Sequence, residues 1–326
     1  MARYGLTFQV LTITLFVASF WRPAYGNPPF ASIDSTPNFR FANGRRALKI
    51  PFEINDKGHV FLRVRVNGSE PLWFGFDTGA EGTLISEQQA KALGLKLHGE
   101  MKATGSGEGE VDFSVAKGVS FSLPGVKLFF KEVGVLPLEF DSDVPGLKIS
   151  GLLGYDFIKR FVVEVNFAER IINLYNPRNY RYRGKGQSIR IRMMDNNPYI
   201  AATVVLPGLS PVKGMFLLDS GAGQDVAFNS PYVKAHDLLK TAQQTTEAQT
   251  AGIGGKSNVR IGQATKVEIG RLSIDNPTVL FSLAEQGDDA SPIGAGFIGG
   301  RLLQKFKIVI YDQTRKRLIL EPPAPR

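Results

Sequence analysis

The sequence predicts a mostly β fold: two similar β-barrel lobes related by a pseudo-twofold axis, with short helices. Three observations carry this. Apolar residues alternate with polar ones as in half-buried strands, and 35 Gly and 19 Pro punctuate them, a turn-rich pattern. A hydrophobic content of 43% over 326 residues lets each of two domains bury its own core. Above all, the chain repeats itself.

Each repeat opens with a hairpin. "HVFLRVRVNGSEPLWFGFDTGA" (59–80) holds two alternating runs joined by Asn67-Gly68, a dipeptide suited to a tight turn. "PYIAATVVLPGLSPVKGMFLLDSGA" (198–222) does the same around a Gly/Pro turn. Both hairpins end in Asp-Thr/Ser-Gly-Ala. A short helix follows in each half, "SEQQAKALGL" from Ser86, which suits an N-cap, and "SPYVKAHDLL" from Ser230, with Pro231 in the first turn. Then come the Gly-rich stretches "ATGSGEGEV" (103–111) and "TAGIGGKSNV" (250–259). Last, "GLLGYDFIKRFVVEVNFAERIINLY" (151–175) aligns with "GFIGGRLLQKFKIVIYDQTRKRLIL" (296–320), matching Gly151, Gly154 and Phe161 to Gly296, Gly299 and Phe306. The expected lobes span 46–177 and 189–322, joined by a basic linker at 178–188.

The ends read differently. Residues 1–26 carry Arg3, an apolar run and the small-x-small pattern Ala24-Tyr25-Gly26, the layout of a signal peptide cleaved near Asn27. The run is short for a membrane anchor, the competing reading. Either implies export, to the periplasm or beyond. Residues 27–45 read as an extended leader outside any core, and 323–326 as a tail.

Composition narrows the chemistry. With no cysteine, disulfides, thiol nucleophiles and Cys-ligated metals are excluded. His59, His98 and His236 show no metal-ligand spacing, so no metal or cofactor is expected; His98 and His236, after the helices, are expected at the surface. The formal charge of +9 falls by two on removal of Arg3 and Arg22. Much of the excess lies near the linker, in Arg178, Arg181, Arg183 and Lys185, where contact with an acidic envelope surface is expected in place of nucleic acid. Gly294, Gly296 and Gly299 fit a dinucleotide spacing, but no convincing strand precedes them.

The repeat itself suggests the chemistry. Around a pseudo-twofold axis, Asp77 and Asp219 would face each other, and two carboxyl groups so close share one proton. The charged one can activate water while the protonated one supports a developing oxyanion. Thr78 and Ser220 offer hydroxyls to lock the two turns. Gly79 and Gly221 allow backbone amides close to the carboxyls, with unusual backbone angles. Gly105, Gly107 and Gly109 read as a mobile flap over the substrate.

These motifs resemble those of the pepsin-like and retropepsin-like aspartic proteases, in particular the bacterial exported group with tandem lobes. The resemblance rests on Asp77-Thr78-Gly79 and Asp219-Ser220-Gly221, with a second element, two apolar residues and a Gly, at Leu152-Leu153-Gly154 and Phe297-Ile298-Gly299. It implies an aspartic endopeptidase acting on peptide or protein in the interlobe cleft. It departs from the pepsin type in having no flap Tyr. Two lobes in one chain also imply a monomer. The alternative is a catalytically inactive bilobal protein of the cell envelope that binds a peptide or glycan. Ala80 and Ala222 offer no hydroxyl to lower the carboxyl pKa values, so a mildly acidic optimum is expected.

Overall fold

The computed structural model describes residues 12–14, 39–137, 142–194, 197–241 and 245–323. Of the expected signal segment it describes Thr12–Thr14, paired in parallel with Gln249–Ala251. The rest of that segment, residues 27–38 of the leader and 324–326 of the tail lie outside the described residues.

Strands dominate, and the short helices sit where the sequence suggests. Ser86 caps Glu87–Ala92, its hydroxyl accepting from Gln89 N–H, while Asn229 precedes Ser230–Ala235 with Pro231 in the first turn. Asn67 and Gly68 both take positive φ, 49° and 79°, closing the hairpin between Val60–Val66 and Leu72–Phe76 as a two-residue turn of the required hand demands.

The same pairing scheme occurs in both halves. Leu72–Phe76 runs parallel to Ile149–Leu153, which is antiparallel to Leu84–Ser86, itself parallel to part of Val126–Leu136. In the second half Val212–Asp219 runs parallel to Gly296–Gly299, which is antiparallel to Val226–Phe228, itself parallel to Thr278–Ser282. Each acidic turn therefore emerges from a strand end flanked by the Leu-Leu-Gly or Phe-Ile-Gly strand.

The halves also share a sheet. Val162–Asn166 pairs antiparallel with Ile308–Asp312, from Val162↔Asp312 to Asn166↔Ile308. Outward lie Ile171–Tyr175 and Arg46–Ile54 on one side, Arg317–Glu321 and Gln187–Arg190 on the other. Buried Val163, Val165, Val309, Tyr311, Leu318 and Leu320 join the main core, which is continuous across both halves. Burial at roughly 1.5–3 kcal/mol per large aliphatic or aromatic side chain makes this shared layer strongly cohesive.

The leader reading is corrected over its last residues. Phe39–Phe41 forms a strand against Val126–Leu128, and Phe39 and Phe41 pack on Phe161 with ring centroids 4.7 and 5.6 Å away. The linker is no loose tether. Arg315 Nη2 donates to Pro177 O and Tyr180 O (2.8 and 3.2 Å), Tyr182 Oη donates to Glu321 Oε1 (2.5 Å), and Gln187 already belongs to the strand paired with Arg317–Leu320.

Candidate active site

The two Asp turns meet through a reciprocal set of hydrogen bonds. Thr78 N–H donates to Ser220 Oγ (3.0 Å) and Ser220 N–H to Thr78 Oγ1 (2.9 Å). Thr78 Oγ1 donates to Leu218 O (2.7 Å), and Ser220 Oγ to Phe76 O (2.9 Å). Each hydroxyl thus accepts from the opposite turn and donates to the strand that carries the opposite aspartate. With all these groups buried, every lost bond would leave an unsatisfied partner.

Within each turn the carboxyl is held by its own backbone. Asp77 Oδ1 accepts from Gly79 N–H (2.9 Å) and Ala80 N–H (3.1 Å), and Asp219 Oδ1 from Gly221 N–H (3.0 Å). Gly79 is required by proximity: a Cβ there would lie 2.6 Å from Asp219 Cγ. The expected unusual backbone angles are corrected, because neither Gly79 nor Gly221 has positive φ.

Asp77 and Asp219 are 1% and 0% exposed, which decides their electrostatics. Burial pushes both carboxyls up, and the neighbouring Asp77 pushes Asp219 further. The Gly79 and Ala80 amides and a hydrogen bond from the Asp219 carboxyl act the other way on Asp77. Two buried carboxyls this close favour holding one proton between them. Oδ2 of each lies buried without a donor from the rest of the described protein.

Gly105, Gly107 and Gly109 lie at the tip between Leu97–Ala103 and Val111–Leu123, and this tip meets the equivalent one of the other half. Gly107 N–H donates to Ile253 O (2.9 Å) and Gly109 N–H to Gly254 O (2.7 Å), while Asp288 N–H donates to Gly105 O (2.9 Å). Beside them Glu108 Oε1 accepts from Glu285 N–H (2.7 Å). Ile253, 3% exposed, is buried in a cluster with Ala80, Leu84, Phe113 and Leu152 from the first half. Asp289, also buried near Asp288 and Glu108, is pushed up to about 8.

Three of these features escape sequence reasoning: Ile253, the acidic loop at 285–289, and His59. The imidazole of His59 is buried, with Nδ1 3.1 Å from Asn55 Nδ2, against the second Asp turn: a Cβ on Gly223 would lie 3.1 Å from its Nε2. Burial, then the Lys57 charge, lowers its pKa to about 4. In the same loop Gly58 (φ +84°) crosses Gly300, where a Cβ would come within 2.4 Å of backbone. Only the Asn-Asp-Lys-Gly turn composition hinted that this loop was special. His98 and His236 are exposed, as expected. Among the described residues no group of three or more His, Asp or Glu is arranged to hold a metal ion, and no helix is long and apolar enough to cross a membrane.

The Aspartyl protease family model matches residues 62–157, a stretch that contains the first Asp turn and its flanking Gly strand. A crystal structure of the aspartic proteinase from Irpex lacteus is similar at a TM-score of 0.51 and 12% identity, over 86% of this chain and 98% of that one. No curated protein matches the sequence. The chain has the mostly β aspartic protease fold.

Proposed function

We propose that this chain is an exported aspartic endopeptidase in which Asp77 and Asp219 share one proton and activate a water between the lobes. The observation that carries the reading is the reciprocal Thr78–Ser220 bonding around two buried carboxyl groups that are both pushed up. In the proposed reaction the Asp77 carboxylate takes a proton from water as the water oxygen bonds to the scissile carbonyl carbon. Asp219 gives its proton to the carbonyl oxygen. The diol intermediate then collapses: the C–N bond breaks, the proton held on Asp77 passes to the leaving nitrogen, and one diol hydroxyl returns its proton to Asp219. No metal or covalent intermediate is needed.

Substrate would lie extended between the two halves, under the tips carrying Gly105, Gly107, Gly109 and Ile253. These tips must part for it to enter, and their closure excludes water around the reacting bond. The amino-terminal sequence supports export; a single chain carrying both turns supports action as a monomer.

The test is digestion of a diverse peptide library across acidic to neutral pH, with and without pepstatin, beside Asp77→Asn. Pepstatin-sensitive cleavage absent from the variant is expected. A well-folded protein that cleaves nothing at any pH would contradict it and favour the silent peptide- or glycan-binding protein.

A further inference from the structure

The basic linker takes part in a second site, on the shared sheet. A cavity of about 630 Å³ opens where Asn43–Arg46, the end of the Ile171–Tyr175 strand, the linker and Glu321 converge. Four of its lining residues are exposed arginines, Arg45, Arg46, Arg181 and Arg183. Among the described residues none of these four has an ion-pair partner, whereas Arg65, Arg260, Arg315 and Arg317 do.

The two cavity carboxylates accept hydrogen bonds from neutral side chains rather than from these arginines. Glu164 Oε1 accepts from Asn173 Nδ2 (2.7 Å) and Glu321 Oε1 from Tyr182 Oη (2.5 Å). They neutralise at most half of the positive charge. The cavity is also built rather than accidental: Arg46 pairs with Tyr175 in the strand register, Asn176 N–H donates to Arg45 O (3.2 Å), and the Tyr175 and Tyr180 rings lie 4.9 Å apart. A smaller cavity of about 350 Å³, lined by Phe39–Ala42, shares Asn176 with it.

We infer that this cavity binds a phosphate group, presented by a soluble compound or by a lipid headgroup. Several unpaired forks around one concave site suit an anion with several oxygens and more than one charge, because planar guanidinium matches phosphate in two-point contacts. The volume falls in the range of small-molecule sites, roughly 300–1,000 Å³, which suits one headgroup or small phosphate compound. Tyr175 and Tyr180 add ring faces beside the anion. The site is independent of the peptidase reading.

The test uses the full chain and two probes, pyrophosphate in isothermal titration, and phosphatidylcholine vesicles with or without phosphatidylglycerol in co-sedimentation. Pyrophosphate binding is expected, weakened about tenfold or more by Arg45→Ala with Arg181→Ala. Lysine at the same two positions should restore only part of it, since charge without the fork is not equivalent. Lys127→Ala with Lys131→Ala, on an exposed strand elsewhere, should leave binding unchanged. Selective capture by phosphatidylglycerol vesicles, lost in the arginine variant, assigns a headgroup; pyrophosphate binding without that capture assigns a soluble compound. Failure of the native protein to bind either probe overturns the proposal. So does equal weakening by the arginine and lysine pairs, which would mean diffuse charge.

Discussion

The two Asp turns have the same backbone scheme and different surroundings. At the same step beyond each aspartate stand Thr83 and Asp225. Thr83 Oγ1 donates to Asp156 Oδ1 (2.6 Å), whose carboxyl is pushed up by burial. In the second half the acid sits on the turn instead: Asp225 pairs with Lys305 (3.0 Å) and accepts from Thr278 N–H (2.9 Å), and Arg301 stands where the first half has Asp156. The second turn also has His59 behind it. The two turns share what holds the carboxyl groups together and differ in their supporting charges, so equivalence should hold at the centre and fail one layer out.

The largest effect is expected at the centre, where the halves should be equivalent. Asp77→Asn and Asp219→Asn should each lower hydrolysis by about 10⁴-fold, at the upper end for a proton-transfer group, with circular dichroism and thermal melting showing an intact fold. A large difference between them would show that one carboxyl alone carries the chemistry.

Next come the hydroxyls. Thr78→Ala strips the partner from Ser220 N–H and Leu218 O, and Ser220→Ala strips it from Thr78 N–H and Phe76 O. Each should cost about 2–4 kcal/mol in urea unfolding. Unequal costs would show that one hydroxyl carries the junction.

One layer out, the halves should differ with pH. The folded pKa of His59 lies near 4, below its ordinary 6.5, so between these values the unfolded chain binds the proton and the native one refuses it. Stability is therefore full above pH 6.5 and falls by about 3 kcal/mol as pH drops to about 4, then levels. The raised Asp pair works in the opposite sense, since the native state keeps protons that the unfolded state loses as pH rises. His59→Gln should remove most of the acid-side loss, read from urea midpoints across pH; an unchanged slope would contradict the assignment.

The smallest effect is expected at the tips. A Cβ at Gly107 would lie 2.3 Å from Gly255 N, so Gly107→Ala should part the tips. Hydrogen exchange at Gly254 and Gly255 should accelerate, with global stability changed by less than about 1 kcal/mol. Unaltered exchange would show that the tips separate without resistance.

The sequence reveals what is local and repeated. Asp77 and Asp219 are legible because each turn is held by bonds to the next two or three residues, and because the motif occurs twice. The Asn67-Gly68 turn and the Ser86 cap are legible for the same reason. His59, Ile253 and Phe39–Phe41 are not. His59 owes its burial to a turn far away in the chain, Ile253 to an apolar cluster of the other half, and Phe39–Phe41 to an edge supplied by Val126–Leu128. Short apolar or polar segments carry no periodicity that names such partners.

In the proposed function, two buried carboxyl groups sharing a proton hydrolyse peptide bonds. The most direct measurement is kcat/KM for one cleaved peptide across pH, for the native protein and for both Asp→Asn variants. A bell-shaped profile centred above the ordinary carboxyl range, because burial raises both carboxyls, and flat at background in both variants, is the expected result. Full activity in either variant, or a maximum near pH 2–3, below the ordinary carboxyl range of about 3.9–4.3, would contradict it.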